Sequence, residues 1–109
     1  MAYGTKIEYR GYTLKSKIEY AWARFFDQSG YAWEYEPMKF RGRRCGVYTP
    51  DFRLGDYGLY VEIKAYDGFR CNNWELCVAP LLLVCGYPDR HYIRYKLAGG
   101  LFKRGHFLS

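Results

Sequence analysis

Two runs of alternating apolar and polar residues, separated by a glycine-bounded turn, constrain this chain more than any other feature of its sequence. The runs cover residues 47–54 and 59–65, and the turn covers residues 55–58. Alternation of this kind predicts strands, and so short a connection predicts that they pair as an antiparallel hairpin. Counting outward from the turn, Phe52 faces Val61 across the pair.

This register sorts the side chains of the hairpin into two faces, because successive side chains of a strand point in opposite directions. The same count places Asp51 opposite Glu62, and these two carboxylates should repel each other. The apolar face comprises Phe52, Leu54, Leu59, Val61 and Ile63, and the charged face comprises Asp51, Arg53, Glu62 and Lys64.

The facing carboxylates predict a cation between them. One candidate is Lys64, two residues beyond Glu62 on the same face. The other is a divalent metal, and oxygen ligands suit Mg²⁺ or Mn²⁺. The alternative without any site is a solvated cross-strand pair that Arg53 and Lys64 neutralise. We favour the metal, because the register gathers both carboxylates on one face opposite an apolar one.

The first third of the chain predicts a hairpin, a helix and a strand. Residues 6–14 alternate around Gly11, which predicts a short hairpin. Ser16 is typical of a helix N-cap, and Gly30 of the residue that follows a helix. Residues 31–36 alternate again until Pro37, which ends a strand or confines it to a sheet edge. Helical spacing assigns an apolar stripe to the helix, formed by Ile18, Ala21, Trp22 and Phe25.

The remaining segments complete a mixed order of helices and strands. Residues 39–46 predict a basic loop, residues 72–79 a short helix and residues 91–96 a last strand. The continuous apolar run at residues 81–85 is typical of a strand covered on both faces. A basic tail follows over residues 97–109. We predict an α/β fold: a mixed sheet with a central antiparallel hairpin, flanked by helices.

Bulk properties limit the partners and the compartment. A chain of 109 residues is one domain, and a net charge of +6 favours a polyanion such as nucleic acid. The longest apolar run is too short to span a membrane, and no signal peptide opens the chain. None of the four cysteines is spaced as a zinc knuckle. Reduced thiols in a cytoplasmic protein are therefore the simplest interpretation.

The hairpin and the helix together resemble a known superfamily. Thr49-Pro50-Asp51 followed by Glu62-Ile63-Lys64 resembles the signature of the PD-(D/E)XK nucleases, whose fold is called restriction-endonuclease-like. The helix start Ser16-Lys17-Ile18-Glu19 resembles the S-x-x-E start in small phage and transposon-type members. Residues 33–37 and 82–88 resemble two further strands of that group, so the resemblance covers most of residues 5–95. After Lys64 the sequence departs from the many relatives that have glycine there.

The resemblance implies a role for each matching residue. Asp51, Glu62 and the backbone carbonyl of Ile63 would bind the metal, and Glu19 would add a ligand at a second site or a water contact. Lys64 would orient the attacking water and balance charge on the phosphate. The implied reaction is in-line hydrolysis of a phosphodiester, in which the metal lowers the pKa of its bound water. Small size would fit a phage-type or mobile-element protein in the bacterial cytoplasm.

Simpler roles exist for the same residues. Ser16 and Glu19 also form a capping-box pattern, in which Glu19 bonds back to the Ser16 backbone. Lys64 could serve only as an ion-pair partner. Basic side chains could grip phosphates or merely solubilise the surface; the candidates are Lys15, Lys17, Lys39, Arg41, Arg43, Arg44 and Arg53.

These observations lead to one functional prediction and one rival. We expect a Mg²⁺- or Mn²⁺-dependent endonuclease acting on DNA, with branched, nicked and plain duplexes all open as substrates and RNA as a weaker alternative. One small domain offers little surface for grasping a duplex, which favours a homodimer. The rival is a non-catalytic nucleic-acid- or protein-binding module on the same fold, acting as an inhibitor or accessory factor.

Overall fold

A computed structural model describes residues 6–42, 46–55, 58–65, 80–96 and 103–105. Within these segments the chain is a small α/β domain with one helix and three sheets. The elements are β1 (Ile7–Tyr9), β2 (Tyr12–Leu14), α1 (Lys17–Gln28), β3 (Trp33–Tyr35), β4 (Phe40–Gly42), β5 (Gly46–Tyr48), β6 (Phe52–Leu54), β7 (Leu59–Lys64), β8 (Leu81–Cys85), β9 (Tyr92–Lys96) and β10 (Lys103–Gly105).

The main sheet has six strands in the order β10-β9-β8-β7-β6-β3. Strands β7 and β8 run parallel, and the other neighbours pair antiparallel, so the sheet is mixed as predicted. The β6–β7 hairpin has the predicted register, with Phe52 opposite Val61. Strand β3 lies at the edge of the sheet, which is where Pro37 allows it to lie.

Helix α1 begins and ends where its caps predict. The Ser16 hydroxyl accepts a hydrogen bond from the Glu19 backbone N–H, and Gly30 has the positive φ of +79° expected just beyond a helix. The predicted stripe was partly wrong, since Ala21 and Phe25 are only half-buried. The buried positions are Ile18, Glu19, Trp22, Ala23 and Phe26. A charged residue belongs to the buried stripe, and apolar spacing alone could not find it.

The core lies between α1 and the apolar face of the hairpin. Trp22 and Phe26 of the helix are fully buried, and the Phe26 ring packs edge-on against Phe52 of β6 at 5.3 Å. All five residues of β8 are buried, which confirms the prediction of a strand covered on both faces. The indole N–H of Trp22 also donates to the Gly86 carbonyl at 2.8 Å, so the helix is fixed to the carboxyl end of β8.

Three predicted segments require correction. The strand predicted over residues 47–54 is two strands in different sheets, because Pro50 has no N–H with which to continue a ladder. The basic loop predicted over residues 39–46 contains β4, which pairs with β5 as a separate two-stranded ribbon. The tail predicted from residue 97 onward includes β10, which pairs with β9.

Other predictions fall outside the described segments. These are the tip of the turn at residues 56–57, the helix at residues 72–79, and Arg43 with Arg44. Of the described segments, none forms a helix long and apolar enough to cross a membrane.

Candidate carboxylate site

Three acidic side chains from separate elements influence one another electrostatically at one end of the hairpin. Glu19 comes from the first turn of α1, Asp51 immediately precedes β6, and Glu62 lies within β7. Glu19 and Glu62 are only 8% and 9% exposed, which is rare for glutamates unless they are paired or bind a cation.

Asp51 lies where the backbone hydrogen bonds between β6 and β7 end, and its side chain is held by the backbone of β7. The Ile63 backbone N–H donates to Asp51 Oδ2 at 2.7 Å, so a side chain takes over the ladder bond. Extending the observed register puts Pro50 opposite Ile63. The Asp51 carbonyl in turn accepts the Glu36 N–H at 2.8 Å, which ties this corner to the chain beyond β3. Because the N–H and C=O of one strand residue point to the same side, the Ile63 carbonyl also points toward the β6 side of β7.

Glu62 is held through both of its carboxylate oxygens. The Tyr48 hydroxyl donates to Oε1 at 2.6 Å, and Lys64 Nζ lies 3.5 Å from Oε2. Tyr48 is buried and comes from β5 of the ribbon, whereas Lys64 is the last residue of β7. The predicted pairing of Glu62 with Lys64 on one face is therefore confirmed as a contact.

Glu19 makes a modified capping arrangement. Its carboxylate Oε1 accepts the Lys15 backbone N–H at 3.0 Å, one residue earlier than a capping box requires. The Tyr35 hydroxyl donates to the same oxygen at 2.8 Å. Glu19 thus caps the chain before the helix and also takes part in a buried contact with β3.

Burial and mutual repulsion dominate the electrostatics of the site. Burial raises the pKa of Asp51 well above its ordinary value, and the charges of Glu62 and Glu19 raise it further. Burial also raises the pKa of Glu62, although the Tyr48 hydroxyl and Lys64 oppose that shift. The pKa of Tyr48 is raised by burial and by the Glu62 charge, so its hydroxyl stays protonated and remains a donor.

An open depression of about 740 Å³ lies over Asp51 and Glu62. Lys15 lies at the depression and forms an ion pair with Glu36, and this hydrogen bond raises the pKa of Lys15. Glu36 has a φ of +46°, which is uncommon for a residue with a side chain. The lining residues are Lys15, Glu36, Met38, Lys39, Tyr48, Thr49, Asp51 and Glu62.

The structure brings only some of the predicted phosphate-binding residues to this depression. Lys15 and Lys39 line it, whereas Lys17 and Arg41 are exposed outside its lining. Arg53 instead pairs with Glu34 of β3 at 3.2 Å. Its partner lies directly across the β3–β6 ladder, so Arg53 belongs to the sheet rather than to the depression.

Sequence reasoning missed the two tyrosine donors. The alternation over residues 31–36 places Tyr35 on one face of its strand, but nothing in the pattern indicates a carboxylate at the end of its ring. The buried bond of Tyr48 to Glu62 depends on how the ribbon packs. One signal could have found them: a buried carboxylate requires hydrogen-bond donors, and tyrosine hydroxyls can supply them.

The donor set suits a hard divalent cation. Asp51 and Glu62 offer carboxylate oxygens, and the Ile63 carbonyl points toward the β6 side of β7. Across the described segments, no three His, Cys, Asp or Glu side chains lie close enough to form a metal-binding group. Mg²⁺ does not require three, because it commonly binds through one or two carboxylates and keeps several waters. The residues present therefore fit such an ion.

No family model matches the sequence, and no curated protein or solved structure matches it either. Any account of the activity therefore depends on the geometry and electrostatics of the carboxylate site.

Proposed function

We propose that this chain is a metal-dependent endonuclease of the PD-(D/E)XK type that hydrolyses phosphodiester bonds in DNA. One observation carries the proposal: Asp51 and Glu62 are buried close enough to raise the pKa of Asp51, with Lys64 3.5 Å from Glu62. Burying two like charges costs free energy. A divalent cation in the open depression beside them would offset that cost.

The order of the elements supports a restriction-endonuclease-like fold for the proposed enzyme. A helix bearing Glu19 precedes a hairpin bearing Asp51 and Glu62, and a parallel strand, β8, follows. Glu19 also raises the pKa of both hairpin carboxylates, so the helix residue and the hairpin residues belong to one electrostatic centre.

In this proposal Asp51, Glu62 and the Ile63 carbonyl hold Mg²⁺ or Mn²⁺. When bound, the cation supplies positive charge that stabilises the phosphate in the transition state and acidifies a coordinated water. Lys64 holds the attacking water and offsets phosphate charge from beside Glu62. Tyr48 and the Ile63 N–H fix the two carboxylates in place, and such fixed geometry supplies much of the catalysis in phosphoryl chemistry.

The charge around the depression favours a nucleic acid. Lys15 and Lys39 lie at its lining, exposed Arg41 and Lys17 lie nearby in sequence, and the whole chain carries +6. Lysines at the lining can contact the phosphates that flank the bond to be cut. A homodimer would present two such basic surfaces to a DNA duplex.

A second candidate is a non-catalytic nucleic-acid-binding module. The favouring observation is that the protein already supplies cations to its acidic groups, through the Lys15–Glu36 and Lys64–Glu62 pairs. In such a module the carboxylate centre would be structural and the lysines would do the binding. Binding would then depend on salt and not on divalent metal.

Cleavage of a labelled panel separates these functions. The panel comprises linear duplex, nicked duplex, four-way junction, single strand and RNA, each with Mg²⁺, with Mn²⁺ and with EDTA. We expect metal-dependent cutting that Glu62→Gln and Lys64→Met reduce by at least about 100-fold. Matched controls are Glu34→Gln and Lys6→Met, which make the same chemical changes at exposed positions outside the depression.

Each outcome assigns the function. Metal-dependent cutting that persists in the two control variants and is lost in Glu62→Gln and Lys64→Met supports the nuclease, and the panel then names its substrate. Tight, salt-sensitive binding of a panel member with no cutting in either metal contradicts it and favours the binding module.

A further inference from the structure

The β4–β5 ribbon reaches the carboxylate site through the buried hydroxyl of Tyr48. Tyr48, the last residue of β5, is 8% exposed and donates to Glu62 Oε1 at 2.6 Å. The ribbon belongs to a different sheet from β7. The bond therefore connects two separately hydrogen-bonded parts of the fold.

Two further contacts fix the ribbon segment against β7. The Phe40 ring packs edge-on against Tyr60 with centroids 5.0 Å apart, and the Tyr60 hydroxyl lies 3.4 Å from the Met38 sulfur. Tyr60 lies two residues before Glu62, and Phe40 is the ladder partner of Tyr48. Tyr48 thus approaches Glu62 from a ribbon that is already anchored nearby.

The Tyr48 bond leaves the two oxygens of Glu62 with different surroundings. Oε1 accepts the phenol, whereas Oε2 lies 3.5 Å from Lys64. A carboxylate with one oxygen held by a short hydrogen bond cannot rotate freely about its last torsion. Its other oxygen therefore keeps a fixed direction, which is what a ligand to Mg²⁺ requires because Mg²⁺ demands near-ideal geometry.

We propose that Tyr48 is a positioning residue that orients Glu62 for divalent-cation binding. This inference rests on the proposed nuclease function. Tyr48 would act through Glu62, since its hydroxyl donates to Glu62 Oε1. Hydrogen bonds to metal ligands commonly change metal affinity or activity by about 10–100-fold when they are removed.

The test is Mn²⁺ titration of the full chain by calorimetry, without nucleic acid, for wild type, Tyr48→Phe and Tyr60→Phe. Tyr60→Phe is the matched control, since it also removes one phenolic hydroxyl near the ribbon. We expect Tyr48→Phe to weaken Mn²⁺ binding by about 10-fold or more, and Tyr60→Phe to leave it unchanged. Thermal unfolding of the metal-free proteins shows whether each variant is folded.

A second readout is kinetic. Tyr48→Phe should require more Mn²⁺ for half-maximal cleavage, with little change in KM for the nucleic acid, because its effect passes through Glu62 alone.

The outcomes separate this inference from the function on which it rests. Wild-type Mn²⁺ affinity in a folded Tyr48→Phe overturns the role of Tyr48 and leaves the nuclease untouched. Equal weakening in Tyr60→Phe also overturns it, because the effect would then belong to the ribbon contacts in general. Absence of Mn²⁺ binding in the wild type overturns the metal site itself.

Discussion

At the scale of single residues, the candidate site is defined by buried groups that the sequence alone would place on a surface. Glu19 and Glu62 are buried acids, and Tyr35 and Tyr48 each donate a hydroxyl to one of them. Asp51 receives a backbone N–H instead. Each carboxylate therefore has a donor that favours a fixed orientation, although the three charges still repel one another.

Burial of Asp51, together with repulsion from Glu62 and Glu19, predicts that a charged Asp51 destabilises the metal-free protein. A raised pKa contributes stability that is complete below the unfolded-state value and is lost as the pH rises through the folded-state value. The free energy of unfolding of the wild type in EDTA should therefore fall as the pH rises above about 3.8, the ordinary pKa of this carboxyl group. Asp51→Asn should remove much of that fall and be more stable at alkaline pH by about 0.5–2 kcal/mol.

Urea unfolding in EDTA at several pH values checks this prediction. Glu34→Gln is the control, since Glu34 is exposed and paired with Arg53. An Asp51→Asn protein that is less stable than wild type at alkaline pH would show that Asp51 serves the fold rather than a site.

Replacing Gly86 should destabilise the fold more than replacing Gly30, because Gly86 combines a positive φ with a close backbone contact. It has a φ of +93°, and an added Cβ would lie 2.3 Å from the Arg90 carbonyl oxygen. Gly86→Ala should therefore lower the free energy of unfolding by at least about 3 kcal/mol, through left-handed strain and overpacking. Gly30→Ala provides the comparison at a φ of +79° with open space around it, and should lose only about 1 kcal/mol. Chemical denaturation measures both, and equal losses would contradict the clash.

At the scale of elements, local signals predicted α1 and the β6–β7 hairpin well. The caps Ser16 and Gly30 act within a few residues of the helix they bound, so their effect can be predicted from the sequence. The hairpin register follows from the turn length and the alternation, and Phe52 faces Val61 as expected. Asp51 and Glu62 could be assigned to one site for the same reason.

Elements that depend on distant partners could not be predicted. Strands β4 and β10 have three residues each, too few to show a period, and they exist because β5 and β9 pair with them. Tyr48 became a site residue only because the ribbon packs against β7. The missing N–H of Pro50 indicates that the strand is interrupted there. It does not indicate which sheets the segments before and after Pro50 join.

One contact network between elements predicts an acid-sensitive anchor for the β1–β2 hairpin. Asp27 of α1 accepts hydrogen bonds from Tyr9 and from Trp33, and it pairs with Arg10 at 2.7 Å. Burial alone would raise the pKa of Asp27. The three partners have the larger combined effect, so the pKa of Asp27 is lowered. A lowered pKa contributes stability above the unfolded-state value that is lost as the pH falls through the folded-state value.

Asp27→Asn should therefore lower the free energy of unfolding at neutral pH by about 1 kcal/mol, since the side chain is partly exposed. Urea unfolding of both proteins should show the difference shrinking as the pH falls below about 3.8. A difference that does not change with pH would assign the effect to packing rather than to the charge.

At the scale of the whole molecule, charge separates into a cationic exterior and an acidic depression. The net charge is +6, yet Asp51 and Glu62 line a depression together with Lys15 and Lys39. A polyanion is attracted to the exterior and repelled by the bare carboxylates. In the proposed nuclease a divalent cation would remove that conflict, so we expect nucleic-acid binding at the depression to depend on metal.

Salt dependence tests this separation. The logarithm of the association constant for DNA should fall linearly with the logarithm of salt concentration. Lys39→Met should reduce the slope by about one, as expected for the loss of one phosphate contact. Lys6→Met is the control, because Lys6 is exposed and lies outside the lining of the depression. Fluorescence anisotropy at several salt concentrations gives the slopes, and equal slopes would place the phosphate contacts elsewhere.

The most direct measurement of the central claim is calorimetric titration of the chain with Mn²⁺, because it requires no choice of substrate. We predict saturable binding by the wild type, loss of that binding in Asp51→Asn, and unchanged binding in Glu34→Gln. Heat that is absent from the wild type, or that persists in Asp51→Asn, would contradict the claim that the buried carboxylates at the end of the β6–β7 hairpin form a metal-dependent nuclease site.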